Sequence, residues 1–165
     1  MKSSRKTALL GSLAAMLLIG AAGSASAQTV ERIYPPYPGV SIASATGVPS
    51  GYMTYYLSGA LPSPIGATAN GQPPVYGDTT AQTRSVLDNL KAVMDKLGVG
   101  YGDVVATHVY LDPKADVGAM NKVWSTEFGT AAQPNKPARA TVYVHALVVP
   151  TALLEIEFTV VKKKK

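Results

Sequence analysis

Residues 137–161 read Pro-Ala-Arg-Ala-Thr-Val-Tyr-Val-His-Ala-Leu-Val-Val-Pro-Thr-Ala-Leu-Leu-Glu-Ile-Glu-Phe-Thr-Val-Val, and this run decides the fold. It holds two β-branched, alternating segments, Ala140–Val149 and Leu153–Val161. Pro150 between them has no N–H for a ladder, so the run reads as two strands rather than one. In the second strand Leu154, Ile156, Phe158 and Val160 share one face, and Glu155, Glu157 and Thr159 share the other. In the first, Arg139, Thr141, Tyr143 and His145 fall together, opposite Ala140, Val142, Val144 and Ala146. The apolar set of each strand is expected to face the core. If the two strands pair, Glu155 or Glu157 lies beside Thr141 or Tyr143.

Moving toward the N-terminus, Asp116–Phe128 has the helical spacing, with Val117, Met120, Val123, Trp124 and Phe128 on its apolar side. Val104–Leu111 is a strand that Asp112-Pro113 breaks. A longer helix starts at Thr79, whose spacing to Gln82 suits a capping box, and Gly98 stops it. Val86, Leu87, Leu90, Val93, Met94 and Leu97 mark its buried side. Met53–Leu57 is a short aromatic strand ended by Ser58-Gly59, and the proline- and glycine-rich stretch 60–77 is a long loop. The order β, loop, α, β, α, β, β predicts an α+β domain, one mixed sheet with two helices on one face. Its other face needs a cover, which points to an oligomer.

The ends of the chain differ from its body. Lys2, Arg5 and Lys6 precede an apolar run from Ala8 to Ala22 and the small residues Ala25-Ser26-Ala27. This pattern predicts a secretory signal peptide over 1–27, cut between Ala27 and Gln28, and so a periplasmic or secreted protein with no stable membrane insertion. Residues 28–50, with Tyr34-Pro35-Pro36-Tyr37-Pro38, read as an extended arm, 51–161 as the domain, and Lys162–Lys165 as a basic tail. The formal charge of +5 belongs to the two ends. Without Lys2, Arg5, Lys6 and Lys162–Lys165 it falls to −2, and no internal basic cluster supports nucleic-acid binding. The absence of cysteine excludes disulfides, thiolate metal sites and cysteine nucleophiles, and two histidines make a poor metal set.

Arg139 enters a strand that carries no other charge through Pro150. A guanidinium at a strand mouth suits bidentate carboxylate recognition, and equally a structural pair with Glu155 or Asp112. A carboxylate on the last strand, Glu155 or Glu157, can position or deprotonate a water, or simply be solvated on an exposed face. Ser58-Gly59 offers a close backbone approach for an anion, or an ordinary turn. His108, on the face of Tyr110 and Ala106, reads as a satisfied structural histidine.

Taken in order, these stretches resemble the reactive-intermediate (enamine/imine) deaminase family, RidA/YjgF. The resemblance rests on Tyr56-Leu57-Ser58-Gly59, the helix Thr79–Gly98, Asp103–Leu111, Met120-Asn121 through Phe128, Pro137-Ala138-Arg139 and Leu154-Glu155-Ile156-Glu157. It implies a chorismate-mutase-like α+β fold assembled as a homotrimer, with ligand clefts between subunits. It implies hydrolysis of a small carboxylate-bearing imine or enamine to keto acid and ammonia, without a metal or organic cofactor. By the same resemblance Arg139 holds the substrate carboxylate and Glu155 the attacking water. Ser58 and Gly59 line the cleft, Asn121 lies near its wall, and Thr141 stands where many members carry cysteine. Ala43–Gly47, where the best-studied branch carries a tyrosine, has none. The alternative from another class is a non-catalytic trimer that binds small carboxylates in the same cleft. Chorismate mutase chemistry ranks last, because the body has only Arg32, Arg84 and Arg139 to meet a dicarboxylate.

Overall fold

The computed structural model describes residues 29–66 and 71–165. The signal-peptide reading of 1–27 lies outside the described residues, as do 67–70 of the long loop. Among the described residues no helix is long and apolar enough to cross a membrane.

The chain runs β1 (Glu31–Ile33), β2 (Ala45–Gly47), β3 (Tyr52–Ala60), α1 (Thr79–Leu97), β4 (Val104–Leu111), α2 (Val117–Glu127), β5 (Ala138–Tyr143) and β6 (Leu154–Lys163). β1 and β2 pair as a small antiparallel ribbon. The other strands form one sheet in the order β3-β6-β4-β5, with β4 and β5 parallel and the remaining pairs antiparallel. Parallel neighbours need a crossover, and α2 supplies it between β4 and β5. The mixed sheet with two helices on one face is the expected architecture.

The core fills the space between helices and sheet. Val86, Leu87, Leu90 and Met94 from α1 and Met120, Val123 and Trp124 from α2 meet Val109, Leu111, Leu154, Ile156, Phe158 and Val160. Trp124, Phe128 and Phe158 form a ring cluster, with Trp124 stacked on Phe128 at 4.2 Å between centroids. Val93 and Val117, expected inside, are exposed at the rims of their helices.

The start of α1 departs from the expected pattern. The N-cap of α1 is Asp78, whose Oδ1 accepts from the Ala81 amide at 2.8 Å, and Asp116 caps α2 in the same way. Thr79 and Gln82 make no capping box; both are buried and tie segments together. Gln82 Oε1 accepts from the Leu153 amide at 2.7 Å, and its Nε2 donates to the Gly77 carbonyl at 3.0 Å. Thr79 Oγ1 accepts from the Asp116 amide at 3.0 Å, which joins the start of one helix to the start of the other.

Three strand expectations are corrected. β5 stops at Tyr143, not Val149, because β4, which it pairs with along its length, ends opposite it at Leu111. Asp112-Pro113 ends the ladder that β5 was using. β5 and β6 do not pair; β4 lies between them, so Glu155 faces Tyr110 and Glu157 faces His108. β3 runs on through Ser58-Gly59 to Ala60, with a register irregularity between Leu57 and Ala60.

Candidate functional site

The register decides which way each side chain points. Thr107 of β4 pairs with Arg139 of β5 on one side and with Phe158 of β6 on the other, and Val109 pairs with Thr141 and Ile156. Phe158 and Ile156 are core residues, so Arg139 and Thr141 point toward the helices. This inverts the expected faces of β5: Ala140 and the exposed Val142 lie on the open side of the sheet. Arg139 faces inward because β5 is an edge strand overhung by α2, where a long cation can pack under a helix and still reach the rim.

Around Arg139 the structure builds a pocket of about 330 Å³. The guanidinium lies over the Trp124 ring, 4.9 Å from its centroid. Its Nη2 donates to Asn121 Oδ1 at 2.7 Å, while its Nη1 is buried without a hydrogen-bond partner. Burial lowers the pKa of this group from the ordinary arginine value, yet an arginine remains a cation. Trp124 is itself fixed, its Nε1 donating to the Ser41 carbonyl at 2.9 Å. Gly39–Ile42 thereby become one wall, and Gly118, Asn121, Lys122 and Ser125 of α2 another. The Thr141 hydroxyl, two residues beyond Arg139 on the same face, and the Thr107 hydroxyl opposite Arg139 are buried and also lack partners.

The arm that forms the first wall is pinned on both sides. Arg32 donates to the carbonyls of Gly102, Val104 and Lys136 at 2.9, 3.0 and 2.7 Å. The Ala43 amide donates to the Pro137 carbonyl at 2.8 Å, two residues before Arg139. Neither Arg32 nor the arm stood out in the sequence as part of a site. Trp124 did carry a signal, since it follows Asn121 by three positions and so shares its helix face.

Glu155 lies on the open side of the sheet. Its carboxylate packs against the backbone of Gly59: a Cβ built at residue 59 lies 2.8 Å from Glu155 Cδ, deep inside van der Waals contact. Ser58, next along β3, is exposed. Glu155, Glu157 and Tyr110 line a second pocket of about 320 Å³, roofed by Val144 and Ala146–Val148. A longer apolar groove of about 760 Å³ runs beside Ser58 and Gly59, between β3 and α1.

The predicted residues thus form two groups. Arg139 and Asn121 come together under α2, with Thr141 two residues further along the same face of β5; Ser58, Gly59 and Glu155 come together across β3 and β6. Arg139 makes no ion pair with Glu155 or Asp112. His108 is exposed rather than buried, and it is satisfied: its Nδ1 lies 2.6 Å from Glu157 Oε1.

The family model described as Endoribonuclease L-PSP matches residues 46–162. The chain is similar to a RutC family protein of Pyrococcus horikoshii, 41% identical over 83 residues that make up 50% of this chain and 62% of the relative. The match therefore spans about three fifths of that relative's length. The 3-aminoacrylate deaminase RutC of Acinetobacter baylyi is 38% identical over 101 residues, 61% of this chain and 73% of the relative. Among solved structures, a conserved Rid-family protein of Yersinia pestis superposes with a TM-score of 0.62 at 27% identity, covering 81% of this chain and 98% of its own. The YjgF gene product of E. coli gives 0.55 at 28%, with 80% and 94% covered.

Proposed function

We propose, from the premise that this chain belongs to the endoribonuclease L-PSP (RidA/YjgF) family, that it hydrolyses small carboxylate-bearing imines or enamines to a keto acid and ammonia. The observation that carries this reading is Arg139. It is a desolvated cation, stacked on Trp124, aimed by Asn121, with one edge of its guanidinium left without a partner in a pocket of small-molecule size. Such a group recognises a carboxylate. A relative named 3-aminoacrylate deaminase supports the enamine class. A folded body of charge −2 favours a small ligand over a polyanion, despite the family's description.

The chemistry asks little of the protein, because an iminium carbon is already electrophilic. Arg139 anchors the acid. Glu155 takes a proton from water as the C–O bond forms on the imine carbon. It returns that proton to nitrogen, then takes the remaining hydroxyl proton as the C–N bond breaks, so the carbonyl forms, and ammonia leaves carrying that last proton as ammonium. Ser58 and Gly59 line the cleft beside the water, and Asn121 and Thr141 line it beside the carboxylate. No metal or organic cofactor enters this scheme.

Arg139 and Glu155 point to opposite sides of one sheet, and β4 separates their strands. The proposed site is therefore shared between copies, the Arg139 edge of one protomer meeting the Gly59 edge of the next. The homotrimer of the resemblance has this head-to-tail form. The proposed place of action is the periplasm or the outside of the cell, after removal of residues 1–27.

The test is keto-acid release from an amino-acid imine generated in situ by an oxidase, comparing residues 28–165 with the same chain carrying Arg139→Ala. Acceleration by the parent that is lost in the variant is the expected result. If neither accelerates release across several side-chain types, the hydrolase reading is wrong. The carboxylate-binding trimer then stands in its place, to be checked by keto-acid binding in a titration.

A further inference from the structure

Glu155 does not stand alone on the open face. Glu157 lies two residues further along β6 on the same side, about 6–7 Å away at the usual strand rise. Across the ladder, Tyr110 faces Glu155 and His108 faces Glu157. The His108 Nδ1 to Glu157 Oε1 distance is 2.6 Å, and Tyr110 stands beside the pair, two residues further along β4 on the same face. The His108 and Tyr110 rings lie nearly parallel, 27° apart with centroids at 6.4 Å. We infer that the His108–Glu157 pair, braced by Tyr110, sets the basicity of Glu155, so that His108 and Glu157 are positioning residues for the water-activating carboxylate.

The inference rests on the role proposed for Glu155 above, and it comes from charge and geometry. Two carboxylates on adjacent same-face positions repel one another unless a cation intervenes. Among the described residues, the basic side chain that touches this carboxylate pair is His108. From β3 the titratable neighbour is Tyr56, which is exposed. β5 contributes only Ala140 and Val142 to this face, and the loop after it contributes Val144 and Ala146–Val148, with His145 exposed. Arg139 is on the far side of the sheet, and Lys163 sits at the distant end of β6. Tyr110 is well suited to brace the pair. Partial desolvation and the negative charge of Glu157 and Glu155 raise its pKa, so the phenol stays a donor.

Opposite substitutions then have opposite signs, a pattern that loss of structure does not produce. At the acid limb of a pH–rate profile an imidazole is cationic. His108→Gln leaves the Glu157 charge uncompensated beside Glu155 and raises the acid limb of kcat/KM by about half a pH unit, from the Coulomb energy of two charges about 6–7 Å apart in water-like dielectric. Glu157→Gln leaves the His108 cation uncompensated and lowers the limb by a similar amount. Thermal denaturation of both variants checks that the fold persists. Carbon-13 NMR titration of the Glu155 carboxyl group in parent and variants gives the same comparison without turnover. If the parent proves inactive, the deaminase reading fails while the titration still decides this one. Shifts of one sign, or no shift in either variant, overturn the inference.

Discussion

Gly59→Ala tests the placement of Glu155 more sharply than removing Glu155 itself. Gly59 is not among the glycines with a left-handed backbone, so alanine brings no backbone strain. What it brings is a methyl group 2.8 Å from Glu155 Cδ and closer still to the carboxylate oxygen, where ordinary contact begins at 3.4 Å. The carboxylate has to withdraw by about 1 Å or more, a misplacement that costs on the order of 100-fold when the group acts on a reacting atom. In barrier terms that is about 2.7 kcal/mol. The fold loses little, because the displaced atoms end a flexible, half-buried side chain and alanine is favoured over glycine in a strand by roughly 0.5–1 kcal/mol. The expected outcome is kcat/KM for keto-acid release down about 100-fold, with a melting temperature within a few degrees of the parent. In a Glu155→Gln background the same substitution displaces a side chain that no longer acts on the water, so its added effect shrinks to within about threefold. Parent-like kcat/KM in Gly59→Ala, or an equal loss in both backgrounds, refutes the argument that Gly59 exists to admit the Glu155 carboxylate.

Two further predictions concern buried polar groups. Gln82→Leu strands the Leu153 amide and the Gly77 carbonyl, which Gln82 now satisfies at 2.7 and 3.0 Å, and it is expected to cost about 2–3 kcal/mol in urea denaturation. A cost below about 0.5 kcal/mol means those groups find other partners. Thr107→Val replaces a hydroxyl that is buried without a partner by a methyl group of the same shape. It is expected to leave stability unchanged or raise it by about 1 kcal/mol, a few degrees in melting temperature; a clear loss would show that the hydroxyl is in fact paired.

The hydrophobic alternation of Leu154–Val160 and the helical spacing of Val86–Met94 and Met120–Trp124 gave the layers correctly, because burial on one face leaves a period in the sequence. The same logic failed for β5. Ala140, Val142, Val144 and Ala146 are apolar, yet they face away from the helices, and Arg139 faces toward them. Alternation reports that two faces differ, not which one is inside, and a strand whose apolar side is left open in one protomer reads backwards. Strand order was equally silent. Two segments separated by a short break look like a hairpin, but β6 turns away from β5 and inserts between β3 and β4. Gln82 and Thr79 misled for another reason: a capping-box spacing fixes neither residue at the cap when Asp78 stands one position earlier. Arg139, Ser58, Gly59 and Glu155 stand out from the residues themselves with alternatives open; the resemblance assigns their roles and adds Asn121. The part played by Arg32 and by Gly39–Ile42 was not legible, because an arm of prolines and glycines acquires meaning only where it lands.

The partition of the proposed site follows from the sheet itself. β3 and β5 are its two edges, and edges are where a sheet meets other chains. Arg139 sits on one edge, turned toward the helices; Gly59 sits on the other, with Glu155 beside it turned away from them. The strands bearing Arg139 and Glu155 are two ladder steps apart, about 10 Å, and the side chains leave in opposite directions. A ligand with a carboxylate one bond from the reacting carbon spans a fraction of that distance, so it cannot touch both within one protomer. On the proposed reading, a protomer acting alone has an anchor without a base and a base without an anchor. Two copies apposed edge to edge supply both, and a closed ring does so without leaving an unused half. Tyr56 on β3 and Val142 and Tyr143 on β5 are exposed on these two edge strands. On this view the proposed trimer is part of the chemistry, and a substitution that only weakens assembly acts on turnover as severely as one at Arg139.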